Sequence, residues 1–284
     1  MPGLLLPTAS NVRPSYKSGF ARSAAESSSP GLWDGLHIGW CPNMGATGST
    51  VYNAAGRNNT NNNGQVTGFG STVSYAADYL SFAGGTAGYI KTEAEPFPIN
   101  TTTRHHLSIV GTFRLHGADT TKGIFQYGNA ASDGTPLLLM QRQNSTTIRA
   151  YLYGNYRISA TVSDDVWVQI ALTYITSGLF GTWTMFVNGS QVGTYSIGTH
   201  LRQATDNALW VGNGYNGYAN CDVREVLMYD RTLTPNEIRT LYRDPLAPFR
   251  QRRFTPTISG AAEAAAGWQP YWGLHATRFA GILT

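Results

Sequence analysis

The sequence predicts an all-β protein: an antiparallel sandwich with one short helix near its C-terminal end and an extended arm at each terminus. Three observations predict it. Charged residues form only 13% of the 284, while the chain holds 32 Gly, 7 Trp, 16 Tyr and 11 Phe. Disorder needs high charge and few aromatics, and coiled coils or helical bundles need Glu, Lys and Leu, so both classes are excluded. Next, large and polar residues interleave with a period near two in Ile148-Arg-Ala-Tyr-Leu-Tyr153 and Tyr156-Arg-Ile-Ser-Ala160. Finally, Gly154-Asn155 and Asn188-Gly189 separate such runs. Asn and Gly both accept positive φ, which a two-residue hairpin turn requires.

Taken in order, residues 1–30 read as an arm, because Pro2, Pro7, Pro14, Pro30 and Ser27–Ser29 leave no periodic apolar face. A first strand follows at Leu36–Trp40, then a polar loop at Asn58–Asn63. Further strands are predicted at His105–Leu115, Gly123–Tyr127, Pro136–Arg142, Thr147–Tyr153, Tyr156–Val162, Trp167–Ile175, Thr182–Val187, Gln191–Ile197, Leu209–Gly212 and Val223–Tyr229. Short strands with tight turns at this density indicate a sandwich. Trp40, Trp167, Trp183 and Trp210 alternate with their strands and are expected in its core, whereas Trp33 could lie inside or outside.

The helix begins at Thr234-Pro-Asn-Glu237, where an N-cap Thr, Pro at the first helical position and Glu three after the cap form a capping box. Leu233 can staple to Ile238; Ile238, Leu241 and Tyr242 make an apolar face, and Pro245 stops the helix. The predicted organisation is therefore an N-terminal arm at 1–30, a sandwich domain at 31–245 and an Arg- and aromatic-bearing tail at 246–284.

The net charge of +4 is uneven, with +2 in residues 1–30, +4 in residues 239–284 and −2 between them. Of the 20 basic residues 17 are Arg, suited to bidentate contacts across protein interfaces. One short run at Arg250–Arg253 is too little for nucleic acid, which is not expected as a partner. Pro-rich polar segments of this length fray unless tied down. Arg13, Lys17, Arg22, Arg250, Arg252, Arg253, Trp268, Tyr271 and Trp272 are the expected assembly contacts. Met1–Pro7 lacks the basic start of a signal peptide, and no stretch approaches the ~18 apolar residues of a membrane span. Cys41 and Cys221 are expected as buried free thiols, one bridge between them being the alternative.

Several stretches together resemble the laminin-G-like, or concanavalin A-like lectin/glucanase, jelly-roll domains. Gly31-Leu-Trp33 to Trp40-Cys-Pro42, then Gly45, Gly48, Val51-Tyr-Asn53 and Gly56, is similar to the first strand and loop of that family. Leu80-Ser-Phe82-Ala-Gly84 with Tyr89-Ile90 resembles its next hairpin, and Trp167–Tyr174 with Phe186-Val-Asn-Gly189 its most recognisable strand pair. Val223–Tyr229 through Leu233–Ile238 and Leu241-Tyr242 resembles the closing strand and helix. The resemblance covers about residues 31–245. Ala83 and Gly88 stand where many members carry Asp, and Val223-Arg224-Glu225 where Ile-Asp-Glu is common. The oxygen ligands of a family calcium site are thereby lost, so no metal and no cofactor is expected.

Hydrolases of that superfamily carry Glu-x-Asp-x-x-Glu or Glu-x-Asp-x-Glu on one strand, and neither occurs. Glu93-Ala-Glu95 shares a strand face but runs into Pro96 and Pro98, so it reads as a strand end. Asp222 and Glu225 are oddly spaced and should face opposite sides of a strand, while Asp164-Asp165 reads as a turn. Gly212–Gly217 fits G-x-G-x-x-G without a following helix, and His105-His106 must diverge. No zinc spacing is present. The expectation is accordingly a protein that is not an enzyme.

An unsecreted jelly roll with long Arg-bearing arms fits a virion component: a phage decoration, head-fibre or tail protein made in the host cytoplasm. Its expected partners are other copies of itself or another virion protein, engaged through both arms, and no membrane. The alternative is an extracellular or cell-surface lectin-like module. In that reading Asn213, Tyr215, Asn216, Tyr218 and Asn220 offer amides to sugar hydroxyls and aromatic faces for stacking on surface glycans.

Overall fold

The computed structural model describes residues 20–252, apart from 43, 45, 56–62, 68–69, 77, 85–87, 93–105, 118–120, 130–137, 153–154, 178–179, 198–205 and 215–216. Its strands are β1 (Leu36–Trp40), β2 (Ala46–Thr47), β3 (Thr50–Val51), β4 (Gly64–Thr67), β5 (Val73–Tyr75), β6 (Leu80–Ala83), β7 (Tyr89–Thr92), β8 (Leu107–Leu115), β9 (Lys122–Asn129) and β10 (Leu138–Asn144). They continue with β11 (Thr147–Leu152), β12 (Asn155–Thr161), β13 (Trp167–Ser177), β14 (Phe180–Val187), β15 (Ser190–Ile197), β16 (Asp206–Val211), β17 (Asn213–Gly214), β18 (Gly217–Tyr218) and β19 (Asn220–Tyr229). The helix α1 spans Pro235–Arg243.

The strands form two sheets. The first runs β15-β14-β13-β8-β19-β6-β5, with β1 paired to the second half of β19. The second runs β12-β11-β10-β9-β16-β7-β4-β3-β2, and the β17–β18 hairpin joins it through Tyr218 beside Gly123. Period-two alternation sends Leu107, Ile109 and Phe113 of β8, and Ile148, Ala150 and Leu152 of β11, into one core between the sheets. The antiparallel sandwich expected from composition and turns is thus the observed architecture. At Asn188-Gly189 both residues have positive φ, 51° and 75°, joining β14 to β15 in the turn their identities dictate.

A second core lies on the outer face of the first sheet. Val110, Ala171, Phe186, Leu227 and Tyr229 are covered there by Ile238 and Leu241 of α1, and by Trp33 and Phe249. The capping box forms as predicted: the Glu237 N–H donates to Thr234 Oγ1 at 3.3 Å and the Thr234 N–H to Glu237 Oε2 at 2.8 Å. Tyr242 departs from its predicted burial; it is 47% exposed, because Ile238 and Leu241 already fill the contact. Cys41 belongs to this outer core and Cys221 to the inner one, so the sheet separates two free thiols.

The inner ends of both predicted arms belong to this body. Phe20 bridges to Arg250 and Ser27 to Gln251. The Ala21 N–H donates to the Phe249 carbonyl at 2.6 Å, and the Ser27 hydroxyl to the Pro248 carbonyl at 2.6 Å. Trp33 resolves to the inside: its indole N–H donates to Pro248 and its ring meets Phe249 edge-on at 5.5 Å.

Candidate functional site

Six strands of the second sheet present one cross-strand row: Gln65, Lys91, Trp210, Gln126, Leu139 and Tyr151. Ile90, Leu209, Val211, Leu138, Met140, Ala150 and Leu152 flank these positions and enter the core, so alternation turns the row outward. Tyr89, two positions before Lys91, shares this face. Its ring lies 5.0 Å from that of Trp210, tilted by 41°, and 6.2 Å from Tyr218 at only 14°. The Lys91 ammonium stands 4.4 Å over the Trp210 ring. Tyr218, Tyr89 and Trp210 are all half-buried and form a continuous aromatic strip.

Two glycines hold the hairpin that carries Tyr218. A Cβ on Gly123 would lie 2.4 Å from the Gly214 backbone, so only glycine lets β17 settle on β9. Beneath the hairpin Gln126 is buried, its amide donating to the Gly128 carbonyl at 3.2 Å. Lys122 brings its ammonium against Gly217.

Of the residues proposed from sequence for sugar contact, Tyr218 and Asn213 lie in this hairpin, both half-buried. Asn220 does not join them: it opens β19 in the first sheet, opposite Ala83. Tyr215 and Asn216 lie outside the described residues, as do Glu93, Glu95 and His105. Among the expected assembly residues, Arg22, Arg250 and Arg252 sit at the arm roots, where Arg250 grips Asp244 at 2.9 and 3.1 Å. Arg13, Lys17, Arg253, Trp268, Tyr271 and Trp272 lie outside the described residues. Trp210 is not the core residue expected from its strand, and neither is Trp167; both face outward and are half-buried. Tyr89, Lys91 and Gln65 were missed, although Tyr89-Ile90-Lys91 carries the period-two signal that places its outer members on one face.

A second polar cluster occupies the outer face of the first sheet. Arg224 is an extra residue in β19, and the register steps from Val223 opposite Phe113 to Glu225 opposite Thr112. The bulge corrects the expectation from parity: Asp222 and Glu225 face the same side, while Val223 and Val226 both enter the inner core. Asp222 accepts from Arg114 Nε at 2.8 Å and Nη2 at 2.5 Å, and lies 2.8 Å from His116 Nε2. Asp165 meets the other ring nitrogen of His116 at 2.6 Å. Trp167 lies between the Arg114 and Arg224 guanidiniums, at 5.0 and 4.2 Å. Burial pushes the Glu225 carboxyl up to about 8, with the neighbouring Thr112 hydroxyl and the Arg224 charge acting to lower it. Two carboxyls on one face of a strand, one of them with a raised pKa, are the elements of an acid–base pair. Asp222 is 2% exposed and Glu225 1%, however, so the pair is closed to a substrate.

Among the described residues, no group of three or more His, Cys, Asp or Glu side chains could hold a metal ion. No described helix is long and apolar enough to cross a membrane.

No curated relative matches this sequence. Similar solved structures include a Trypanosoma rangeli sialidase in complex with a difluoro-KDN, at TM-score 0.56 and 18% identity over 75% of this chain. The match spans 33% of that sialidase, about a third of its length. The same sialidase in complex with sialic acid matches at TM-score 0.54 and 16% identity, over 75% of this chain and 33% of that one. The receptor-binding domain of the botulinum neurotoxin C/D mosaic serotype matches at TM-score 0.52 and 11% identity, over 74% of this chain and 51% of that one. The expectation of a protein that is not an enzyme, drawn from the missing carboxylate motifs, is overturned by the sialidases, enzymes that share this fold at 16–18% identity. Residues 83–239 match the family profile of the concanavalin A-like lectin/glucanases superfamily, and the chain belongs to that family.

Proposed function

We propose that the folded body is a saccharide-recognition module which its two arms anchor in a larger assembly, a virion such as that of a phage. One observation carries this reading. The arm roots, Phe20–Ser28 and Pro248–Arg252, pair side by side over the outer face of the first sheet. The aromatic strip lies on the outer face of the second sheet, across the sandwich. Attachment on one face and recognition on the other would direct the strip away from the assembly. Sugar rings stack their C–H faces on aromatic side chains, and the amides of Gln65 and Asn213 suit ring hydroxyls. The neighbours lend support as far as their names go, one a receptor-binding domain and the other a sialidase holding sialic acid.

A glycan array probed with the full chain tests the recognition half. Binding that Tyr89→Ala and Tyr218→Ala each reduce about tenfold supports it, and the absence of any glycan ligand overturns it. For the anchoring half, the full chain and residues 20–252 are compared for co-sedimentation with native particles. Retention of the full chain alone supports anchoring through the arms, whereas equal retention overturns it.

A further inference from the structure

We infer that the saccharide bound on the outer face of the second sheet is acidic, its rings carrying carboxylate or sulfate groups. The inference rests on the saccharide reading above and names the ligand class.

The strands of the second sheet contain Lys91, Lys122, Arg142, Arg149 and Arg157 against Asp206 alone. The strands of the first sheet are balanced, with Arg114 and Arg224 against Asp222 and Glu225. The positive charge of the second sheet is therefore local, because the sequence between the arms, residues 31–245, is acidic by one charge.

Arg142 is committed elsewhere, to Asp164 and to the His116 carbonyl at 2.9 Å. The remaining cations surround the strip or extend from it. Lys91 stands within the strip, over Trp210. Lys122 supports the hairpin that carries Tyr218. Arg149 faces outward between the core residues Ile148 and Ala150, one register step from Tyr151. Arg157 lies 4.6 Å from the Tyr195 ring, at the edge where β12 approaches β15. Lys91 and Lys122 are two of the chain's three lysines, whose compact ammonium groups act as point charges toward carboxylate or sulfate. Gln126 and Leu139, in the middle of the row, are buried beneath the β17–β18 hairpin, so its open part runs from Gln65 through Lys91 to Trp210, two strand intervals or about 10 Å, room for a short saccharide. An oligosaccharide laid across the strands would meet aromatic faces at Tyr218, Tyr89 and Trp210 and a cation beside them. Single-stranded nucleic acid also stacks on aromatics beside cations, but it requires a basic groove along the strand. Here the cations are spread across a sheet face bearing amides.

The test uses the full chain on an array of neutral, uronate-bearing and sulfated glycans, with a polythymidine oligonucleotide as control. The best acidic ligand is then compared with its carboxyl-reduced or desulfated form by calorimetry at low and high salt. The expected result is at least about tenfold tighter binding of the charged form, weakening as salt rises. Lys91→Gln should weaken the charged form several-fold more than the neutral form, while Tyr89→Ala weakens both alike. Equal binding of charged and neutral forms overturns the acidic assignment and leaves the saccharide reading standing. Binding of the oligonucleotide alone, or of nothing, overturns both.

Discussion

Asp222 and Glu225 face the same side of β19 because Arg224 adds one residue between them. They end in opposite ionic situations. Asp222 meets Arg114 and His116, whereas burial raises Glu225 to about 8 from an ordinary value of 4.5.

A raised folded-state value means that the folded protein holds this proton more tightly than the unfolded chain does. The corresponding stability is fully present below about pH 4.5 and is lost as pH rises through about 8. A shift of this size corresponds to a few kcal/mol. Urea denaturation at pH 5, 7 and 9 should show the native protein weakening toward alkaline pH. Glu225→Gln should remove most of that slope, matching the native protein at pH 5 and exceeding it at pH 9. Parallel slopes in the two proteins would count against the assignment.

Asp222 poses the reverse case. It is 2% exposed and shared by two basic side chains, so its removal leaves Arg114 and His116 facing an empty position. Breaking a buried pair from one side costs about 3–5 kcal/mol. The Arg114 side chain is 28% exposed and can turn to water, so Arg114→Ala should cost less than Asp222→Ala. Chemical denaturation of both variants gives the comparison, and the opposite ranking would refute it.

The arm roots set where the body can be cut. Phe249 is fully buried against Trp33, and Ser27 is fully buried on the Pro248 carbonyl. A chain of residues 20–252 should therefore unfold with the same midpoint as the full protein. Cutting at the boundaries suggested by composition, 31 and 245, uncovers Trp33, Leu227 and Tyr229 and should lower the midpoint sharply. Phe249→Ala alone should cost about 3–5 kcal/mol.

What was legible in the sequence is what local chemistry decides. Thr234, Pro235 and Glu237 specify their helix start through bonds three residues apart, and Asn188-Gly189 specifies its turn through positive φ. Alternation also marked the long strands of both sheets. The bulge at Arg224 has no such signature, because an extra residue shows only against its partner strand. That one residue defeated the parity argument about Asp222 and Glu225. The arm roots were hidden for a related reason: Trp33 meets Pro248 across 215 positions of chain. Trp210 was readable in principle, since Leu209 and Val211 on either side take the inward places and leave it the outer one.

The strip itself supplies the last prediction. Asn220 and Tyr218 are two residues apart in sequence, yet Tyr218 stacks toward Tyr89 in the second sheet while Asn220 pairs with Ala83 in the first. A loop acting as a single sugar-binding unit would need both. Stacking on the second sheet needs only Tyr218, with Tyr89 and Trp210 behind it. Asn220→Ala should therefore leave glycan affinity unchanged, while Tyr218→Ala and Tyr89→Ala lower it by about 1–2 kcal/mol, the scale of an aromatic contact. Calorimetry with the array's strongest ligand measures all three. An equal loss in Asn220→Ala would move the binding surface from the sheet face to the loop between the sheets.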